Sequence, residues 1–467
     1  MAEKPNILFV LSDQQRWDTL GCYGQELDIT PNIDQMAESG VKFEQANTCQ
    51  PVCNPARSCL QTGKFATETG CYRNDVALPQ DEKTIAHWFM EAGYDLGYIG
   101  KWHLASTGGP SSEKIGPERD YHEKPIPVEL RGGWKDHWIA ADLLEFTSGP
   151  FGGHLYDEDM DKVSFDGYRV DEMTDMALNY LNNRQKGNPF LLFLSFLEPH
   201  HQNDQKRYVG PKGSQERFSD FEPPGDLKGN RGDWKENYPD YLGCCASIDK
   251  NVGRMKEALK KNGMLENTLI VYTSDHGSHF RTRNKELSRG QNVKGNDDDY
   301  KRSCHEASTH IPLVIEGPGF RGGKKINELV SLIDLPPTLL KTANIQVPDY
   351  MQGRSLQQLT NAKNKGQWRE ATFIQISESK VGRAIKTKNW KFSVKAHDKL
   401  GIRDAKSKIY YEDHLYNLRK DPHEQNNLID EPGYMGIKEH LKAKLKSKME
   451  LAGEEEPKIV STISSNS

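Results

Sequence analysis

The chain has 467 residues, 28% of them charged against 35% hydrophobic, with a formal net charge of -5 and eight cysteines. That length allows two or three domains and a large core, while no run approaches the roughly 20 apolar residues that cross a bilayer, so a soluble protein with no membrane partner is expected. The mild negative charge excludes the broad basic field that nucleic-acid binding requires, and an anionic substrate has to be attracted by a local cluster.

In chain order, the start "MAEKPNILFV" enters a strand at once and leaves no room for a secretory leader. The expectation is a cytoplasmic protein, or a periplasmic or secreted one whose leader is not part of the sequence. Strands are predicted at "NILFVLS" (6–12), "LGYIG" (96–100), "FLLFLSFL" (190–197), "LIVYTS" (269–274) and "IPLVIEG" (311–317), all apolar on both faces, as central strands covered by helices are. Amphipathic helices fall between them at "KTIAHWFMEAGY" and "VDEMTDMALNYLNNR"; in "YPDYLGCCASIDKNVGRMKEALKKNG", Leu242, Cys245, Ile248, Val252, Met255 and Leu259 recur three or four apart and Gly263 ends the helix. This is the pattern of an α/β domain with a large, mostly parallel sheet between helices.

Residues 104–169, rich in Gly, Pro, Trp and His with little periodicity, read as a long insertion over the sheet edge. From about residue 370, "ATFIQIS", "GRAIKTKNWKFSVK" and "KIYYEDHLYNL" read as strands of a smaller antiparallel domain, closed by a Lys-rich helix over 437–451. The expected division is 1–360 and 361–467, with "NAKNKGQW" as linker and "STISSNS" as a loose tail. The cysteines are too sparse for a disulfide scaffold, and Cys244 and Cys245 are adjacent, so most are expected reduced and buried.

Ligand crevices of open α/β sheets lie beyond the carboxyl ends of the strands. There stand Asp13 and Gln14 after the first predicted strand, Lys101 and His103 after the second, His200 and His201 after the third, and Asp275 and His276 after the fourth. Singly, each is better read as a cap, a turn former or a solvated side chain. Jointly they mark one sheet edge. Two carboxylates, an amide oxygen and one imidazole suit a hard divalent cation, calcium or magnesium, with zinc second.

Cys53, Asn54, Pro55, Ala56 and Arg57, followed by "SCLQTGK", form a C-x-P-x-R motif. With "ILFVLSDQQRWDTLGCYG", "GYIGKWHL", "SFLEPHH", "YTSDHG", "KRSCHEASTHIPLVI" and "HLYNLRKDPHEQNNL", in that order along the chain, the sequence resembles the formylglycine-dependent sulfatases of the alkaline phosphatase-like superfamily, closest in character to bacterial polysaccharide sulfatases. The resemblance implies that a maturation enzyme oxidises Cys53 to formylglycine. Its hydrate, acidified by a divalent cation, attacks sulfur; the alcohol leaves, and the second hydroxyl expels sulfate. It further implies Asp13, Gln14, Asp275 and His276 as metal ligands, Arg57 steadying the diol, Lys101, His103 and Lys301 on the sulfate and nucleophile, and His200 as the acid for the leaving alcohol. Lys294 is the alternative to Lys301. Gln14 and His276 stand where many members carry Asp and Asn, and Ala56 replaces a common Ser.

For substrate, His201, Gln202, Asn203 and Asp204 follow the proposed acid, and His279, Arg281 and Arg283 follow the ligands, with Trp134, His137 and Trp138 as aromatic surface. Polar forks with aromatic faces suit a sulfated carbohydrate. By resemblance, a polysaccharide-derived oligosaccharide is expected, an algal galactan such as carrageenan before a glycosaminoglycan, cut from chain ends. The other readings are a phosphonate monoester or phosphodiester hydrolase of the same superfamily and a catalytically silent glycan binder. A homo-oligomer is compatible with the composition.

Overall fold

The computed structural model describes residues 4–109, 118–184, 187–284, 300–361 and 368–461. Lys294, most of the "NAKNKGQW" linker and the end of the "STISSNS" tail lie outside the described residues. The doubly apolar runs form the centre of an 11-stranded sheet: β1 (Asn6–Ser12) is buried at every position. It pairs in parallel with β8 (Phe190–Ser195) on one side and β9 (Thr268–Ser274) on the other. β3 (Asp95–Lys101) extends β8 in parallel, so four central strands end at one edge. Close approach there requires Gly100, at φ +108, because a Cβ would stand 2.1 Å from the carbonyl oxygen of Ser195.

Beyond β9 the sheet runs through β10 (Leu313–Glu316), antiparallel, to β2 (Val41–Asn47) and β11 (Lys324–Ser331). β2 and β11 escaped the sequence reading because "VKFEQAN" and "KKINELVS" are polar at every second or third position, as strands near a sheet margin are.

The expected insertion over 104–169 requires correction. It contains β4 (His137–Ala141), which continues the main sheet in parallel with β3, then β5 (Ser148–Gly149), β6 (Gly152–Tyr156) and β7 (Lys162–Phe165), an antiparallel margin. Trp134 and Trp138 are therefore core residues rather than aromatic surface. Trp138 stacks on Tyr98 at 5.2 Å between ring centroids, Tyr98 on Phe193 at 5.1 Å, and Phe193 on Phe9 at 4.5 Å, tying four strands together. His137 points to the other face and stacks on Tyr180 at 5.0 Å.

A second, five-stranded sheet comprises β12 (Ala371–Ile376), β13 (Gly382–Thr387), β14 (Trp390–Lys395), β15 (Ile409–Asn417) and β16 (Lys458–Val460), antiparallel except for the final β15–β16 pair. The helix Met435–Leu451 covers it through Leu441, Leu445 and Met449. Its apolar face merges with the core of the large sheet, with Phe65 edge-on to Phe373 at 5.2 Å. All eight cysteines are free thiols, and among the described residues no helix is long and apolar enough to cross a membrane.

Candidate active site

Residue 53 opens the helix Cys53–Thr62, which is buried throughout. Pro55 fits the first turn because it has no N–H to leave unpaired, and Gly63 at φ +74 closes the helix in the left-handed region. The open amide groups of such an N-terminus favour negative charge beside residue 53. Asn74 holds one of them, its Oδ1 accepting from the Asn54 N–H at 3.2 Å.

Around the Cys53 sulfur the strand ends converge. Its Sγ is 3.4 Å from Asp13 Oδ1, 3.3 Å from His276 Nε2 and 3.0 Å from Lys301 Nζ. One ligand atom from each of Asp13, Cys53, Asp275 and His276 lies within 4.8 Å of the others, all four residues buried. His276 Nδ1 is 3.0 Å from the Gly277 carbonyl, which turns Nε2 toward Asp13 and Asp275, 3.5 Å from an oxygen of each. Gln14, at φ +68, gives its Nε2 to the Tyr208 hydroxyl at 2.6 Å. Its Oε1 is left buried with no hydrogen-bond partner among the described residues.

This donor set fits a divalent cation. Two carboxylates stand side by side with an orphaned amide oxygen and a correctly turned imidazole, and burial and Asp13 push the Asp275 carboxyl up although His276 and Arg57 oppose this. The oxygen-rich set is the kind hard cations take.

Cations balance the cluster. Arg57 gives one nitrogen to Asp13 Oδ2 at 3.0 Å and lies 3.2 Å from Asp275 Oδ2, while its other nitrogen bonds the Lys101 carbonyl and Ser195 Oγ at 2.9 and 2.7 Å. Lys101 Nζ reaches Asp13 Oδ2 at 2.8 Å. Burial would raise the Cys53 thiol, but Lys101, Lys301 and His276 outweigh it and hold the group well below the usual thiol range. An anion is therefore favoured at this position. His200 Nδ1 is 2.6 Å from the His201 carbonyl, and Nε2 faces Lys301 Nζ at 2.9 Å. His103, at φ +57, has its Nδ1 buried and unpartnered among the described residues.

The expected substrate residues are less concentrated. His201 stacks on Tyr300 at 4.6 Å and meets exposed Asn203, with Nδ1 3.3 Å from Asn203 Oδ1, and Asp204 is exposed. Arg281 covers the Tyr300 ring at 4.8 Å, and His279 is fully buried. Arg283 gives two nitrogens to the carbonyls of His423 and Glu424, and Gln202 accepts from Arg169, so both are occupied within the fold. Sequence reasoning missed Asn74, Glu145, Ser195 and Glu378. None carries a spacing signal, because each arrives from a different loop or strand end.

A buried cysteine on a helix N-terminus, facing two carboxylates and an imidazole at the ends of parallel strands and ringed by buried cations, on an alkaline phosphatase-like fold, is the arrangement of a hydrolase of anionic esters. The family described as Sulfatase matches residues 5–345, and the C-terminal family of N-sulphoglucosamine sulphohydrolase matches residues 298–451. The chain belongs to the sulfatase family, and is a sulfuric ester hydrolase. It is 29% identical to an ulvan-active sulfatase of Formosa agariphila, over 97% of this chain and 82% of that protein. It is 26% identical to an N-acetylglucosamine-6-O-sulfatase of Bacteroides thetaiotaomicron, over 92% of this chain and 84% of the relative. A structure solved with its substrate D-glucosamine-2-N,6-O-disulfate superposes with a TM-score of 0.74 at 22% identity, covering 97% of this chain and 99% of that one.

Proposed function

We propose that the protein removes sulfate from a sulfated carbohydrate, with residue 53 as formylglycine and a divalent cation, calcium first and magnesium second, held by Asp13, Gln14, Asp275 and His276. The observation that carries this reading is the convergence on residue 53 of two carboxylates, one imidazole and three cations, all from buried side chains. Together the modified residue and the cation supply a hydrated aldehyde acidified enough to attack sulfur.

The chain's own groups do the rest. Lys101, Lys301 and His103 bind the sulfate oxygens and offset the charge that builds on them, and Arg57 fixes Asp13 and Asp275. His200 passes a proton to the leaving alcohol: burial and Lys301 weaken its imidazolium, while Asp13 strengthens it, and in the unmodified chain Cys53 adds to that and leaves the group raised. Similarity to sulfatases of ulvan and of N-acetylglucosamine supports a sugar substrate. A nucleophile position only 1% exposed supports cleavage at chain ends. At finer grain we favour polysaccharide-derived oligosaccharides, algal galactans such as carrageenan first.

Peptide mass spectrometry across residue 53, after co-expression with a formylglycine-generating enzyme, is expected to show loss of the thiol mass and gain of the aldehyde. The same preparation is expected to desulfate sulfated oligosaccharides faster than it cleaves matched phosphate or phosphonate esters. Faster phosphonate cleavage would return the reading to a phosphonate monoester hydrolase.

A further inference from the structure

We propose that Glu145 reads the substrate: its carboxylate accepts a hydrogen bond from the sugar hydroxyl nearest the scissile ester. This rests on the reading of the substrate as a sulfated carbohydrate. Glu145 lies in the short helix Leu144–Thr147, just after β4, at the same sheet end as the other site residues. Asp142, between the two, accepts the N–H groups of Ala105 and Ser106 at 3.0 and 2.9 Å and so ties this loop to the one carrying His103.

The Glu145 side chain is 8% exposed, and its Oε1 is 3.9 Å from His200 Nδ1. Its Oε2 is buried with no hydrogen-bond partner among the described residues. Burial would favour the neutral acid, but the charges of Lys101 and His200 keep the group ionised.

Orienting His200 does not explain this carboxylate. His200 Nδ1 already meets the His201 carbonyl at 2.6 Å, a true hydrogen-bond distance, whereas 3.9 Å is not. The group's own backbone N–H serves the carboxylate, but a buried, ionised group that can only accept is still costly when one of its oxygens, here Oε2, meets no donor among the described residues. Its Oε1 is nearest to the Nδ1 side of His200, and Lys101 is the first group acting on its charge, so it stands between two groups assigned to the ester, where a donor on the neighbouring carbon of the sugar can meet it. The same charge repels a second sulfate at that position. The next residue, Phe146, is 52% exposed and stacks at 5.0 Å on His122, whose Nε2 is 3.2 Å from Asp75 Oδ1. That pair offers a fixed aromatic face to the sugar's C–H groups.

The test uses three synthetic sugar sulfates with one ester in common and the neighbouring position carrying hydroxyl, hydrogen or a second sulfate, plus nitrophenyl sulfate. The full-length matured enzyme and its Glu145→Gln variant are compared by kcat/KM. The wild type is expected to prefer the hydroxyl over the deoxy compound by about tenfold or more, the discrimination a hydrogen bond to a charged group provides, and to disfavour the disulfate. In Glu145→Gln the hydroxyl-to-deoxy ratio should fall at least fivefold and the disulfate should gain relative to the monosulfate. A wild-type ratio near one, which needs no variant to measure, overturns the proposal. So does an equal loss on all three sugars with a displaced pH-rate profile, which would make Glu145 a positioning residue for His200. If nitrophenyl sulfate is cleaved and no sugar sulfate is, the carbohydrate reading itself has failed.

Discussion

Replacing Glu378 with alanine should damage catalysis although Glu378 stands on the C-terminal sheet side and touches none of the reacting groups. Its Oε1 accepts the Asn74 N–H at 2.7 Å, and Asn74 in turn caps the helix that begins at residue 53. Its Oε2 takes Arg302 Nε at 2.5 Å, beside Lys301, whose ammonium is 3.0 Å from Cys53 Sγ. The neighbours strengthen this saddle: Ser377 Oγ accepts from Gln50, and Ser379 Oγ donates to the Arg302 carbonyl, both at 2.6 Å. The ion-paired side chains are 9% and 8% exposed, so removing one partner of a nearly buried pair applies, at about 3–5 kcal/mol. Water entering the space left by the truncation offsets part of that, and a net loss of about 3 kcal/mol is expected. If Lys301 then drifts by about 1 Å, turnover falls roughly a hundredfold. Thermal unfolding and steady-state kinetics on one preparation measure both, with kcat expected to fall more than KM rises. Glu378→Gln, which keeps the volume and one acceptor, should recover part of each. Loss of stability with kcat kept within about twofold of wild type would show that the saddle holds the fold and not the site.

Three further outcomes follow from the geometry. Lys301→Ala should lower kcat by roughly a hundredfold, about 3 kcal/mol of lost anion stabilisation, and a change under threefold in a folded variant would remove Lys301 from the site. Dialysis against a chelator should abolish activity, and calcium should restore it better than zinc; restoration by zinc alone contradicts the oxygen-rich ligand set. Burial lowers the His414 imidazole, but Asp413, 3.1 Å away, reverses this and raises it well above its ordinary 6.5. A raised folded value means that the stabilisation is complete below about pH 6.5 and is lost as pH rises through the folded pKa. Urea titrations should therefore show wild-type stability declining above about pH 6.5 more steeply than that of His414→Gln, and parallel curves would refute the pairing.

What the sequence made legible follows from how local the signal is. β1 and β9 are seven-residue strands with apolar centres, Ile7–Leu11 and Leu269–Tyr272, and are followed directly by Asp13 and Asp275, so strand, strand end and candidate ligand arrive together. The run at Leu313–Glu316 gave the strand but not its antiparallel direction, which is set by its partners β9 and β2. Trp134 and Trp138 misled because a Gly- and Trp-rich stretch with a five-residue strand has too short a period to show. Their burial depends on Tyr98 and Phe193, roughly forty and sixty residues away in sequence.

Glu378 and Glu145 were illegible for a different reason, which bears on how the site is built. The C-x-P-x-R helix and the strand ends bring the proposed ligands and reacting groups to one place, but buried cations at residues 57, 101 and 301 repel each other and keep their geometry only where anions interleave with them. Asp13 and Asp275 supply that between the central strands, close in space to Arg57 and Lys101. Lys301 arrives on a segment outside the sheet, and the carboxylate that fixes its neighbour Arg302 comes from residue 378, a separation that no motif spans. On this reading the segment after β12 supports the alignment of Lys301 with residue 53 through Glu378 and Arg302, while the same sheet also completes the core shared with the large sheet.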